Sequence, residues 1–396
     1  MGTGIQVGVI GSALFAPRYP ERTSLEEALH TVTKAALRNA GLAIEDIDGI
    51  VVAGNDQLDG RAITIMMASG SVGGVGRDIL ATPSASEHAF VLAALRVKSG
   101  MYRTQLIVSW SPLETADISA TQRLAADPYF NRALPLDDLS SHALQANALE
   151  AKVPGLRAAA IGVTEKNRQH GFNAYPEHAA APREAVLIDS GKMLRWPISA
   201  GMIAPPAFAA VAMVIASDEW IDEHNAAQPD APCNSAWLHG MGWATESGFL
   251  GDRDLSTLPS LQAATKQAYR EAGIKHHAAA ASFDLAEVAD ATPYQELVAL
   301  EGLGLCPREA WSESVKRGDF ARGGRLPVNL SGGATSFNPV FCTGLMRIVE
   351  AADQARNCAG LHQHPQAKKT LAHGASGFAM QYNTVVIFGR EPLEVA

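Results

Sequence analysis

Cysteine is scarce in this chain: four in 396 residues, at Cys233, Cys306, Cys342 and Cys358. None falls in a C-x-x-C pair, and no histidine pair stands at zinc-finger distance, so neither a disulfide framework nor a structural metal site is indicated. That usage fits a reducing cytoplasm. Basic charge is also short, with 32 Lys and Arg against 41 Asp and Glu for a formal net charge of −9. The deficit argues against a nucleic-acid binder, which needs a basic face for the phosphates. No uninterrupted apolar run reaches the roughly 18 residues of a membrane helix, and the N-terminus lacks the basic residues and cleavage pattern of a signal peptide. The glycine-rich stretch Gly70-Ser-Val-Gly73-Gly74-Val-Gly76 has neither G-x-G-x-x-G nor Walker spacing and reads as a loop. The expectation is a cytoplasmic protein with no nucleic-acid or membrane partner. At 47% hydrophobic and 18% charged residues, the chain can bury a large core.

What is present is a repeat. Ser24-Leu-Glu-Glu27 has the form of a capping box, and Leu25, Ala28, Leu29, Val32 and Ala36 recur at helical spacing until Gly41. Inside this helix, Thr33-Lys34-Ala-Ala-Leu-Arg38-Asn-Ala-Gly41 is nearly copied 232 residues downstream as Thr265-Lys266-Gln-Ala-Tyr-Arg270-Glu-Ala-Gly273. Apolar runs flank both copies: Ile5 to Ile10 and Ile50 to Ala53 in the first, Ser235 to Leu238 and Ser282 to Val288 in the second. Each set has the strand, helix, strand order of a βαβ unit. Helix-then-strand pairs follow in both parts, Glu87 to Ser99 with Gln105 to Trp110, and Leu345 to Ala355 with Thr384 to Phe388. Two similar α/β halves are expected, residues 1–232 and 233–396, joined by the polar, proline-containing stretch Asn225 to Pro232. Residues 111–205, with short helical pieces, prolines and turns, read as a long insertion in the first half that shapes a binding site.

Two such halves with an insertion resemble the thiolase superfamily, and later motifs strengthen the likeness. Glu287-Val-Ala-Asp290-Ala-Thr-Pro-Tyr294 through Gly304-Leu-Cys306 resembles the sterol-carrier-type thiolase stretch that begins HDCF. Val328-Asn329-Leu-Ser331-Gly332-Gly333 is similar to N-P-S-G-G. Asn338-Pro339 with Thr343-Gly344 stands where thiolases carry G-H-P-x-G-A-T-G, and His373-Gly374-Ala-Ser-Gly377 resembles the last active-site loop. The resemblance implies an α/β thiolase fold with duplicated βαβαβαββ halves in a layered α-β-α-β-α arrangement.

The departures fall on the positions that carry the chemistry. A thiolase attacks an acyl thioester with a cysteine thiolate at a helix N-terminus, where the dipole lowers the thiol pKa. Here the matching segment is Thr82-Pro83-Ser84-Ala85-Ser86. Ser84 or Pro83 takes the nucleophile position, depending on a one-residue register, with Ser84 preferred. A serine needs an adjacent base to serve as a nucleophile, so capping or ligand contact is the expected role for Ser84, and Ser86 is an equal candidate for the cap. Ala291 replaces the HDCF cysteine, Asn338 the GHP histidine and His373 the last-loop cysteine. Asn338 can donate to a thioester oxygen but cannot shuttle a proton. His373 is then the expected acid or base, Tyr294 a candidate to protonate an enolate, and Asp290 a carboxylate that orients a partner. The plainer alternatives are a helix-face role for Tyr294 and an N-cap role for Asp290 toward the helix that follows it. Ser84, Ser86, Gly332, Gly333 and Gly374 fall on the substrate-binding side of the resemblance.

Within that superfamily, the chain is similar to the lipid-transfer-type proteins of steroid side-chain degradation, which lack the nucleophile. This resemblance implies retro-aldol cleavage of a β-hydroxyacyl-CoA, a homodimer, and a small OB-fold and zinc-ribbon partner. No cofactor is expected in this chain, the substrate arrives as a CoA thioester, and any zinc belongs to the partner. Two alternatives stand beside it: a noncatalytic subunit that scaffolds an active thiolase homologue, and an acyltransferase using Ser84.

Overall fold

The computed structural model of the chain describes residues 4–112, 117–182 and 184–394. Its strands are β1 (Val7–Phe15), β2 (Gly49–Ala53), β3 (Asp78–Thr82), β4 (Thr104–Trp110), β5 (Met193–Arg195), β6 (Ile198–Ser199), β7 (Ala210–Ser217), β8 (Ala236–Thr245), β9 (Leu285–Val288), β10 (Lys369–Ser376) and β11 (Tyr382–Gly389). Nine of them form one sheet in the order β3-β2-β4-β7-β1-β8-β11-β10-β9, and β5 and β6 make a separate hairpin.

The order within this sheet repeats. In the first half β2 lies parallel to β4, β4 antiparallel to β7, and β7 antiparallel to β1. In the second, β9 is parallel to β10, β10 antiparallel to β11, and β11 antiparallel to β8. The first half adds β3, parallel to β2. In the second, a single parallel bridge from Ala286 to Val328 stands in the corresponding place. Among the described residues, the two half-sheets meet at two residue pairs, Gly8 with Trp237 and Val9 with Ala236.

The repeated helices occupy equivalent places. We label α1 (Leu25–Ala40), α2 (Ser86–Lys98), α3 (Ile118–Ala125), α4 (Asp138–Lys152), α5 (Leu156–Ala174), α6 (Pro259–Glu271), α7 (Pro293–Gly302) and α8 (Thr343–Arg356). The Ser24 hydroxyl accepts from the Glu27 N–H, and Gly41 ends α1 at a φ of 72°, as the capping pattern predicts. α1 packs on β1 and α6 on β8. A Cβ on Gly11 of β1 would lie 2.7 Å from the Ala36 carbonyl oxygen, and one on Gly240 of β8 would lie 2.2 Å from that of Ala268. Ala36 and Ala268 are again 232 residues apart. Both halves therefore use a strand glycine to let a helix backbone approach the sheet.

The sheet is covered on both faces, so its strands read as continuous apolar runs. In β7, Val211, Met213 and Ile215 join the core around α2 and α8, whereas Ala210, Ala212, Val214 and Ala216 join the core under α1. α2 and α8 are packed against each other between elements of the two halves. Each Leu, Ile or Val fully buried there contributes about 1.5 to 3 kcal/mol relative to exposure.

Two elements differ from the expectation. The stretch 369–376 is a strand, paired along its length with β11, not a loop. Its glycine and polar residues obscure the apolar run that marks the other strands. The insertion, apart from residues 113–116 and 183 outside the described set, carries helices of 15 and 19 residues, α4 and α5, rather than short pieces. α5 is buried on several sides, including by Asn167 and Arg168, so no single apolar stripe marks it in the sequence. Among the described residues, no helix is long and apolar enough to cross a membrane.

Candidate functional site

A cavity of about 420 Å³ opens where the N-terminal ends of α2 and α8 meet the inserted helices α3 and α4. Ser84, Asn338, Thr343 and Ser376 line it from the two halves, and Gln122, Asp138 and His142 line it from the insertion. Phe341, also in the lining, holds a φ of 76°. An aromatic residue adopts this left-handed conformation only when its surroundings over-determine it, and such strain gathers at functional sites.

Ser84 is exposed on the connection from β3 to α2. Its hydroxyl lies 2.8 Å from His88 Nδ1 and 3.0 Å from Thr82 Oγ1. A base therefore does contact this serine. The sequence carries the pair as S-x-x-x-H, with Ser84 two residues ahead of α2 and His88 in its first turn. The His88 ring is held edge-on to Tyr382, with centroids 5.5 Å apart.

Ser86 does not cap its own helix. It is fully buried, and its hydroxyl accepts from the Leu345 N–H at 3.0 Å, so it caps α8 of the other half. The next residue, Glu87, is also fully buried and accepts from the Ser376 hydroxyl at 3.1 and 3.3 Å. Burial pushes its carboxyl pKa up, partly offset by His88. Gly374 gives way to this side chain: a Cβ there would sit 2.9 Å from Glu87 Cβ. Gly374 lies within β10, away from the cavity lining, so its role is packing rather than substrate contact.

Asp290 reaches the cavity wall with its carboxylate already engaged. It accepts from the Ala334 N–H at 2.7 Å, the Thr335 N–H at 3.1 Å, the Thr335 hydroxyl at 2.7 Å and Asn167 Nδ2 at 2.9 Å. It thus caps the turn Gly333–Ser336, while Thr292 occupies the N-cap position of α7 without a side-chain bond. Gly332 and Gly333 make this fit possible. Their φ values are 92° and 62°, and added Cβ atoms would lie 2.3 Å from Gly171 Cα and 2.0 Å from Asp290 Oδ2. Neither glycine lines the cavity.

His373 and Tyr294 are not brought to the cavity. The His373 ring is fully buried in β10, with Nε2 2.9 Å from Asn383 Oδ1. Asn383 Nδ2 donates to Ser260 Oγ and to the Met380 carbonyl, so its Oδ1 accepts and Nε2 of His373 carries the proton. Burial pushes the imidazole pKa down to about 4, against the small opposing effect of Asn383. A neutral ring sealed in the sheet cannot exchange protons with a substrate in the cavity, which corrects the acid–base assignment of His373. Tyr294 is likewise buried, and its hydroxyl donates to Glu150 Oε1 at 2.8 Å. Desolvation, with Glu150 adding to it, raises its pKa far above the usual phenol range. Tyr294 therefore anchors α7 to the inserted helix α4 instead of protonating an enolate.

Asn338 does face the cavity. Its backbone carbonyl accepts from the Ala207 N–H at 2.8 Å, and its half-buried side-chain amide has no hydrogen-bond partner among the described residues. That amide is available to a carbonyl oxygen. Arg347, also in the lining, meets Glu287 at 3.0 Å and Ser331 Oγ at 2.7 Å.

Among the cavity residues that escaped the sequence reading are Gln122, Asp138 and His142. Asp138 accepts a hydrogen bond from Gln122 Nε2, and burial raises its carboxyl pKa to about 6. His142, one turn along α4, is pushed down to about 4 by burial. Its ring has no hydrogen-bond partner among the described residues. The signal was present as Asp137-Asp138 four residues ahead of His142, but acids at a helix start are ordinarily read as capping, and Asp137 does cap α4.

Residues 242–390 match the thiolase C-terminal domain-like family. Sterol carrier protein 2 of Bos taurus is 31% identical over 212 residues, 52% of this chain and 38% of that protein. Benzoylsuccinyl-CoA thiolase subunit BbsB of Thauera aromatica is 26% identical over 227 residues, 56% of each chain. Both matches thus span well under two thirds of the relative. Among solved structures, an Ltp2-ChsH2(DUF35) aldolase superposes with a TM-score of 0.79 at 17% identity, covering 97% of each chain. A monomeric SCP2-thiolase-like protein type 1 from Mycobacterium smegmatis gives 0.70 at 19% identity, covering 98% of this chain and 79% of that one.

Proposed function

We propose that this chain, a member of the thiolase superfamily of the SCP2-thiolase-like kind, cleaves a β-hydroxyacyl-CoA by a retro-aldol reaction without a covalent cysteine intermediate. The observation that carries this reading is the unpartnered Asn338 amide facing a cavity whose nucleophile position holds Ser84. In such a cleavage, a base takes the β-hydroxyl proton, the Cα–Cβ bond breaks, and the thioester becomes an enolate. The Asn338 amide donates to the enolate oxygen, and removing one such donor typically costs about a hundredfold to a thousandfold in kcat. The solved Ltp2-ChsH2(DUF35) aldolase supports the reading by its fold, and it pairs Ltp2 with a DUF35 protein. On that model this chain works with an OB-fold and zinc-ribbon partner that holds any zinc.

A homodimer is part of the proposal. β3 is an edge strand whose Leu80 is 45% exposed, and Met66 nearby in the sequence is 71% exposed. An unpaired, partly apolar edge is what a second copy would cover.

The test is turnover of steroid and aromatic-side-chain β-hydroxyacyl-CoA esters by the chain, alone and with its partner. Release of an aldehyde or ketone is expected, with Asn338→Ala lowering kcat by about a hundredfold or more. No release across that panel overturns the reading.

A second reading rests on the Ser84 contact to His88. A serine hydroxyl 2.8 Å from an imidazole has the geometry of an activated nucleophile, as an acyltransferase using Ser84 requires. Incubation with a saturated acyl-CoA, which has no β-hydroxyl to cleave, distinguishes the two. An acyl mass increment on the Ser84 peptide, lost in Ser84→Ala and His88→Gln, supports acyl transfer, and its absence excludes this alternative.

A further inference from the structure

The proposed cleavage needs a group that takes the β-hydroxyl proton and later delivers one to the enolate carbon. His373 and Tyr294 are sealed away from the cavity, and Asp290 is fully engaged by four donors. Arg347 is occupied by Glu287 and Ser331. Of the titratable residues described in the cavity lining, Asp138 and His142 remain, one helical turn apart on α4.

We propose that Asp138 is the proton-transfer residue of the cavity, with His142 as a hydrogen-bonding contact to the same β-hydroxyl of a β-hydroxyacyl thioester. The inference rests on the retro-aldol reading. One Asp138 oxygen is held by Gln122 Nε2, which leaves the other for substrate. α4 is clamped at its far end by Glu150 with Tyr294 and in its middle by Gln145 with Gln295, at 3.3 Å. At its start, the Ser141 hydroxyl accepts from the Ala379 N–H at 3.0 Å. The inserted helix is therefore fixed to both α7 and the segment after β10, as a catalytic element must be.

The proton accounting closes on Asp138 alone. Its carboxylate takes the O–H proton, the oxygen lone pair forms the new C=O, and the Cα–Cβ bond breaks with its electron pair moving into the thioester enolate. The carboxylic acid then returns the proton to Cα. The products are an aldehyde or ketone and the shortened acyl-CoA. Burial holds the carboxyl near 6, where it is mostly ionised at neutral pH yet a stronger base than an ordinary aspartate. The groups facing it are Gln122 on α3, and Asp137 and His142 on α4. Asp137 is itself paired with Arg123 at 3.2 Å and influenced by Arg195 on β5.

Two measurements test this. The first is cleavage of β-hydroxyacyl-CoA esters by wild type, Asp138→Asn and His142→Gln. The second is exchange of the Cα protons of propionyl-CoA in D2O, which is the reverse of the last step. Asp138→Asn is expected to lower kcat and the exchange rate by about a hundredfold or more, with KM nearly unchanged. His142→Gln is expected to give a smaller fall. In wild type, kcat/KM should rise with pH through an apparent pKa near 6, and this rise should vanish in Asp138→Asn. If wild type cleaves and exchanges but Asp138→Asn does so within threefold of it, the assignment of Asp138 is overturned and the retro-aldol reading survives. If wild type does neither, both are overturned.

Discussion

The buried imidazole of His373 makes a quantitative prediction about stability. Its pKa lies near 4 in the folded protein, against 6.5 for the free group. The ring is neutral in both states above pH 6.5, so its contribution is fully present there. As pH falls through 6.5 the unfolded chain gains a proton that the folded chain refuses, and stability is lost until the folded ring also titrates near pH 4. At pH 5 the two pKa values give a loss of about 2 kcal/mol relative to pH 8, and the full shift is worth about 3 kcal/mol. His373→Gln removes this proton linkage. Urea unfolding at pH 8 and pH 5 should show the variant losing about 2 kcal/mol less than wild type over that interval. His142 and His170, also held down by burial, account for a residual slope in both proteins. Turnover at pH 8, where His373 is neutral in any case, should stay within threefold of wild type. Equal pH dependence of the two proteins refutes the linkage. A hundredfold loss of turnover in a folded variant refutes the placement of His373 outside the chemistry.

Three further outcomes are expected. Gly333→Ala places a Cβ 2.0 Å from Asp290 Oδ2 at a φ of 62°; strain and overpacking together should cost about 2 to 4 kcal/mol, read as a lowered thermal midpoint. Arg347→Met leaves Glu287 buried without its partner, a loss of about 3 to 5 kcal/mol that Arg347→Met with Glu287→Gln should largely recover in a double-mutant cycle. Leu80→Lys, on the exposed edge strand, should shift the sedimentation profile of the proposed dimer toward monomer while leaving the circular dichroism spectrum unchanged.

Much of the scaffold was legible because periodicity and capping are local. Ser24, Gly41 and the T-K-x-A-x-R-x-A-G repeat marked α1 and α6, and the shared strand order follows the same duplication. The site was less legible because the roles of polar residues depend on what faces them. Ser86, an equal candidate with Ser84 to cap α2, caps α8; Asp290, a candidate to orient a partner or else to cap α7, caps the turn at 333–336. In each case the side chain serves a helix start that is distant in sequence. Ser84 was expected to cap or to touch a ligand, yet the His88 ring four residues on reaches its hydroxyl.

The internal repeat was enough to point to a duplicated α/β scaffold, and the resemblance to thiolases implied that the matching nucleophile position holds no cysteine. Only the folded chain decided which polar groups meet solvent and which are consumed by the core. His373 and Asp138 are both single ionisable residues in unremarkable local sequence. One lies in the middle of a sheet covered on both faces, and the other stands at a helix start on a cavity wall. The difference arises from packing between segments far apart in the chain, since desolvation and hydrogen-bond partners set a side chain's chemistry and neither is a property of its sequence neighbours.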